Sequence, residues 1–60
     1  MIVRTEQYMG YRLALKRNDE KYQVAIFDAS NRLIASTGTH AEAKSAVGEA
    51  RRYVDARRTA

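Results

Sequence analysis

The segment YRLALKRNDEKYQVAIFD, residues 11–28, decides the fold because apolar and polar side chains alternate through it twice. Residues 11–17 and residues 22–28 each alternate with period two, which is typical of a strand with one buried face. Residues 18–20 supply turn-forming polar side chains between them. The segment therefore predicts an antiparallel hairpin. Its buried face would hold the larger apolar side chains: Tyr11, Leu13, Leu15, Tyr22, Val24 and Ile26.

Two further segments lie beside this hairpin. Residues 29–31 form a second polar turn, and the apolar run at residues 33–35 is long enough for a third strand and too short for a helix. Residues 1–10 are compatible with either a flexible arm or an extra edge strand, and the sequence leaves both alternatives open. The expected sheet is a three-stranded antiparallel meander.

The period of the pattern changes after Gly38. Thr39 is followed three residues later by Glu42, which is the spacing of a capping box at a helix start. Apolar residues then recur at helical spacing, so we expect a helix over residues 39–57. The face turned toward the sheet would be mostly alanine and would let the helix approach closely. Its members are Ala43, Ala46, Val47, Ala50, Tyr53 and Val54.

Length and composition set the limits of this fold. The chain has 60 residues, 45% of them apolar and 30% charged, which supports one domain of the α+β class with the order β-β-β-α. There is no cysteine and one histidine, so we expect neither a metal nor another cofactor. No stretch is long and apolar enough to span a membrane, and the start lacks a signal-peptide pattern. The expectation is a soluble cytoplasmic protein that does not bind membranes.

The residues argue against catalysis. His40 is the only histidine, and the chain offers no cysteine nucleophile for it to activate. The acidic residues are accounted for by turns, the helix cap and surface ion pairs, and no glycine-rich phosphate loop is present. We therefore expect that the protein is not an enzyme.

One helix covers only one face of a sheet, so the other face should remain open. There the alternation places Phe27 among basic and small residues, which suggests an apolar centre with a charged rim. This composition favours a protein partner or a homodimer. The candidate partner-binding residues are Arg12, Lys16, Gln23, Ala25, Phe27, Arg32 and Ile34.

Positive charge suggests a second class of partner. Lys and Arg number 11 against 7 Asp and Glu, a net charge of +4, and much of the excess lies near the end of the helix. Basic residues there could contact phosphates or an acidic partner, although they also complement the helix dipole, and Arg51 could pair with Asp55. The candidate contacts are Arg51, Arg52, Arg57 and Arg58.

Several small families share this order of elements. Residues 11–55, with KYQVAIFD and STGTHAEAKSAVGEARRYVD, resemble the core of HicB-type antitoxins, which block a toxin RNase, although DASNRL replaces their usual connection with proline and glycine. YQVAIFDASNRLIAS resembles one repeat of YegP-like proteins. The order is similar to that of plant AP2 and integrase arm-binding domains, which lay an open sheet on DNA, but the tryptophans of AP2 strands are absent. The size is similar to that of phage-encoded inhibitors such as anti-CRISPR proteins.

From these observations we expect a non-catalytic binding protein that regulates or inhibits a macromolecular partner by occluding a protein–protein contact. An antitoxin-like or phage-inhibitor-like role would fit that description. The alternative is a DNA- or RNA-binding module that uses the basic sheet face and the C-terminal arginines.

Overall fold

A computed structural model describes residues 1–59 of the chain. It contains four strands followed by one helix, which confirms the α+β class. The elements are β1 (Ile2–Tyr8), β2 (Tyr11–Asn18), β3 (Lys21–Phe27), β4 (Leu33–Ser36) and α1 (Ala43–Thr59).

The sheet is an antiparallel meander in the order β1-β2-β3-β4. The expected count of three strands was wrong, because the first residues form the extra edge strand that the sequence left as one of two alternatives. Periodicity did not reveal β1, since the side chains that it turns toward the helix include the charged Arg4 and Glu6, which pair with Leu15 and Leu13 of β2. Tyr8 packs against the core, and two polar contacts also connect this strand to the helix.

Those two contacts join β1 to α1 directly. The Arg51 guanidinium donates to Glu6 Oε2, with an Nε–Oε2 distance of 2.9 Å, and the Tyr8 hydroxyl donates to Asp55 Oδ1 at 2.9 Å. The hydrogen bond to Asp55 raises the pKa of Tyr8. The Arg51 guanidinium also lies 5.5 Å from the centroid of the Tyr8 ring. In the structure, Arg51 therefore contacts β1 rather than forming the expected pair with Asp55 one turn later.

The β1–β2 connection is a two-residue turn between Tyr8 and Tyr11. Its central residues, Met9 and Gly10, have φ values of 52° and 85°, and positive φ at both positions is the signature of a type I′ hairpin turn. The β2–β3 connection is equally short and has Asp19 at φ 59°. Tight turns fix the register, and the register decides which side chains face the helix.

The helix begins at Ala43, four residues after the expected start, and it extends to Thr59 rather than to residue 57. The capping-box expectation failed because His40 pairs with Tyr22 in an isolated β-bridge, with N–O distances of 2.7 and 2.8 Å. Extended backbone at His40 keeps Thr39 outside the first helical turn.

Within residues 1–59, no helix is both long and apolar enough to cross a membrane.

The core lies between α1 and the helix-facing side of the two central strands. Alanines at positions 46 and 50 of the helix are fully buried, so the helix backbone approaches the sheet closely. Tyr53, expected on this face, is instead 36% exposed. The buried cluster consists of Leu13, Leu15, Val24, Ile26, Ala46, Val47, Ala50 and Val54.

Candidate functional site

The side of the sheet opposite the helix is uncovered, and strand pairing arranges its side chains in cross-strand rows. The Arg12 row contains Gln7, Arg12, Phe27 and Leu33. The alanine row contains Thr5, Ala14, Ala25 and Ser36. The Lys16 row contains Ile2, Lys16 and Gln23. We call these rows together the open face.

A preformed contact dominates the Arg12 row. The guanidinium carbon of Arg12 lies over the Phe27 ring, 4.2 Å from its centroid, which is within the range of a cation–π interaction. Arg12 Nη2 also donates to Asn31 Oδ1 at 2.5 Å. Phe27 is therefore half-buried beneath a charged group rather than exposed as a bare apolar surface.

The loop after β3 holds Asn31 in place. Asp28 Oδ1 accepts hydrogen bonds from the backbone N–H groups of Ser30 at 2.9 Å and Arg32 at 3.0 Å. The Asn31 N–H donates to the Asp28 carbonyl at 2.9 Å, and Asn31 has φ 65°, a conformation that asparagine adopts more readily than most residues. Because this loop is internally hydrogen-bonded, Arg12 is anchored to a fixed acceptor.

The alanine row lies between the Arg12 row and the Lys16 row, in the middle of the open face. Ala14 is 1% exposed and Ala25 is 2% exposed, although no helix lies above them. Each side chain is a single methyl group, and the longer side chains two residues away on the same strand shield it. Ala25 was expected to contribute to a partner-binding surface, and the structure corrects this because its methyl group offers almost no accessible area.

Ile34 is the second correction to the expected patch. Between the pairs Ile26–Ala35 and Phe27–Leu33, β4 contains one more residue than β3, so Ile34 is the extra residue of a bulge. Its side chain packs against the core cluster. Leu33, 56% exposed, takes the open-face position beside Phe27. Four residues are too few for periodicity to predict which side chain of β4 faces outward.

The Lys16 row borders the other side of the alanine row. Lys16 is half-buried, and Ile2 beside it is 58% exposed. Gln23 is held by its side-chain amide, which donates to the Thr37 carbonyl at 2.8 Å. Thus Arg12, Lys16, Gln23 and Phe27, four of the expected residues, do share one surface, and the expected continuous apolar centre is replaced by small buried alanines.

The acidic side chains lie outside the three rows, although Asp28 borders the Arg12 row in a depression that it shares with Gln7 and Arg12. None of the three rows contains an acidic residue, whereas Arg12 and Lys16 are both basic. On the helix side, Glu6 accepts from Arg51, and Glu49 Oε1 lies 2.6 Å from His40 Nε2. The hydrogen bond with His40 lowers the pKa of Glu49, as does a weaker one from the Gly38 N–H, while burial opposes both.

The C-terminal arginines belong to a different surface. They lie on α1, which packs on the face of the sheet opposite Arg12 and Lys16. A hydrogen bond with Tyr11, followed by the effect of Tyr53, raises the pKa of Arg57, and these groups line a shallow, open depression. Arg52 and Arg58 are exposed on the same helix, and Arg32 is exposed beside the β3–β4 loop. The structure does not merge the two basic clusters into one site.

Among residues 1–59, no three His, Cys, Asp or Glu side chains converge as a metal site would require. His40, the candidate acid–base residue, is occupied by Glu49.

In comparisons with known proteins, no protein-family model, no curated protein and no solved structure matches this chain. The resemblances to antitoxins, YegP-like repeats and sheet-based DNA-binding domains therefore remain expectations from the sequence.

Proposed function

We propose that this protein is a non-catalytic binding protein that occludes a macromolecular partner with its open face, and that the partner is a nucleic acid. The observation that carries the proposal is the composition of the rows: they hold Arg12 and Lys16 and no carboxylate, while Glu6 and Glu49 are paired on the helix side. The carboxylate of Asp28 borders the Arg12 row, where it accepts hydrogen bonds from backbone N–H groups of its own loop. Cations on such a surface attract phosphates from a distance.

The remaining side chains of the open face suit the same partner. Thr5, Gln7 and Ser36 are exposed, and each can donate a hydrogen bond to a phosphate or sugar oxygen. Binding of this kind blocks a nucleic acid by covering its backbone. Release of counterions then drives association, so affinity should fall steeply as salt is added.

An acidic protein surface, or a second copy of this chain, is the second candidate partner. Leu33 and Ile2 are each more than half exposed, and both lie on the open face. However, they occupy different rows, and the buried alanine row separates them. Protein interfaces concentrate apolar anchors at their centre, where this face has only methyl groups. The arrangement therefore favours the nucleic acid.

The test is fluorescence anisotropy with a short labelled DNA, both single-stranded and duplex, at about 50 mM and about 200 mM salt. The decisive variant is Arg12→Gln/Lys16→Gln. Its matched control is Arg4→Gln/Lys44→Gln, which removes the same charge from exposed positions outside the open face. We expect micromolar binding by the wild type, about tenfold weaker binding by the first variant, and wild-type binding by the control.

The salt dependence adds a second readout. Each lost phosphate contact flattens the slope of log K against log salt by about 0.7 to 0.9, so Arg12→Gln/Lys16→Gln should lose about 1.5 and the control should lose little. Equal losses in both variants would indicate binding through net charge alone and would contradict the proposal. A third variant, Arg52→Gln/Arg58→Gln, removes two exposed arginines of α1. We expect it to weaken DNA binding less than Arg12→Gln/Lys16→Gln does.

Light scattering on the same samples decides between partners. If the wild type binds neither DNA and forms a dimer that Phe27→Asp dissociates, the open face is a protein interface and the nucleic-acid proposal fails. A monomer that binds DNA through Arg12 and Lys16 supports it.

A further inference from the structure

We infer that the nucleic acid bound by the open face is single-stranded, and that it crosses the strands along the alanine row with a base stacked on the Arg12 guanidinium. The inference rests on the proposed function and names the form of its ligand. Three features of the open face carry it: the width of the sheet, the fixed guanidinium and the charge on both sides of the alanine row.

The width of the sheet argues against a duplex. Four strands at the usual spacing of about 4.8 Å span about 14 Å between the outermost backbones, before side chains are added. The major groove of B-DNA is about 12 Å wide and admits a helix or a two-stranded ribbon. Because β1 extends the meander on one side, the face is too broad to enter that groove flat. A flexible single strand can instead follow the surface.

Arg12 provides a stacking surface that exists before the ligand arrives. Its guanidinium lies on the Phe27 ring on one side and is fixed by Asn31. Unstacked bases in single strands bind on aromatic rings and on arginine planes. Since Arg12 is only half-buried, its outer side is accessible, and a base would complete a stack of ring, guanidinium and base. Because the Arg12 side chain is already held in place, binding a base costs less side-chain entropy.

The positions of the charges on the open face set the path of the bound nucleic acid. Arg12 and Lys16 are four residues apart on β2, which places them about 13 Å apart along an extended backbone. The short side chains of Ala14 and Ala25, which are almost inaccessible themselves, lie between them, so the nucleic acid would pass over this row in contact with the side chains around it. A phosphodiester backbone that follows this row would have a cation on each side. The exposed side chains of Thr5 and Ser36 lie at the two ends of the row.

The experiment compares three probes of equal length with the full chain: a single-stranded DNA, the same sequence as a duplex, and a single strand whose central nucleotides are abasic. The single strand should bind about tenfold more tightly than either of the others, because the abasic strand keeps its phosphates and loses the stacked base. This comparison needs no variant, so it does not depend on whether any variant folds.

Two variants locate the stack. Arg12→Lys keeps the charge and removes the planar group, and Phe27→Leu keeps an apolar side chain and removes the ring that supports it. Each should weaken binding of the intact strand about tenfold, leave binding of the abasic strand unchanged and leave the salt slope unchanged.

The outcomes separate the inference from the proposed function. If the duplex binds as tightly as the single strand, or if the intact and abasic strands bind alike, the single-strand inference is overturned while binding of nucleic acid through Arg12 and Lys16 still stands. If Arg12→Lys binds the intact strand like the wild type, the stacking role of Arg12 is overturned in the same way. If no probe binds, both proposals fail together.

Discussion

The two sides of strands β2 and β3 differ in what makes their residues buried. Val24 is 0% exposed on the helix side, and its neighbour Ala25 is 2% exposed on the open face. The helix covers Val24 with packed atoms, whereas only the flanking side chains shield Ala25. Equal burial therefore describes two different environments: one is a close-packed core, and the other is a methyl group covered by surface side chains that can move aside.

The helix side should be sensitive to lost volume. Leu13→Ala removes a side chain that is 2% exposed from the centre of the core and should lower the free energy of unfolding by about 2 to 5 kcal/mol, because a cavity adds to the lost transfer energy. For a domain of 60 residues this is a large share of the total stability. Urea denaturation followed by circular dichroism measures it. The adjacent Arg12→Ala, on the open face, should lose far less, and similar losses would contradict the distinction.

Substitutions that enlarge a side chain should lower stability on the helix side and have little effect on the open face. Ala50→Leu places a larger side chain between helix and sheet, where Ala50 is fully buried, and should cost about 1 to 3 kcal/mol. Ala25→Leu makes the same change on the open face and should stay within about 0.5 kcal/mol, since its new atoms extend into solvent. The same urea experiment compares them. An equal loss in both would mean that the alanine row is packed like the core.

The β1–β2 turn controls which residues reach each side. Gly10 has φ 85°, where a β-carbon is strained although no neighbouring atom lies within 4 Å, so Gly10→Ala should cost about 1 kcal/mol. Met9→Asn should instead stabilise the turn, because asparagine followed by glycine is the preferred type I′ pair. Thermal melting measures both changes. If neither variant changed stability, the turn would not be what holds the register of β1.

Lowering the pH should remove a stabilising contact on the helix side and leave the contribution of the open face to stability unchanged. The pKa of Glu49 is lowered in the folded protein, chiefly by its hydrogen bond with His40, so the ionised form stabilises the fold. This contribution is present above the unfolded pKa near 4.5 and is lost as the pH falls through the folded value. Glu49→Gln should flatten the decline in the urea midpoint below about pH 4.5, and Lys16→Gln should leave it unchanged. An unaltered acid decline in Glu49→Gln would exclude this pair as its source.

The sequence predicted the parts of the fold that depend on local pattern. Alternation located β2 and β3 to within a residue, because one side of each strand is apolar and the other is not. It also placed Arg12, Lys16 and Phe27 on one face. β1 stayed one of two alternatives because its helix side carries Arg4 and Glu6, and the contact of Glu6 with Arg51, 45 positions away, leaves no periodic signal.

The predictions that were wrong concern features that depend on contacts between residues distant in the sequence. The helix start was misplaced because the His40–Tyr22 bridge, a contact across 18 residues of sequence, outweighs the local preference of Thr39 for a cap. The sequence requires either Leu33 or Ile34 to face outward and favours Ile34, whereas the structure exposes Leu33, because a bulge cannot be recognised in a four-residue strand. The stack of Arg12 on Phe27 required both the strand register and the positive φ of Asn31, so the sequence supplied its residues but not its geometry.

The bulge in β1 has a consequence for solubility. β1 and β4 form the edges of the sheet, and an exposed edge can template the strand of another molecule and begin fibrous aggregation. β4 limits this by being only four residues long. In β1, seven residues long, the register shift between Ile2 and Arg4 makes Val3 an extra residue that interrupts the outer edge, and Arg4 adds a charge beside it. A single inserted valine thus shortens the regular part of the longer edge to residues 4–8.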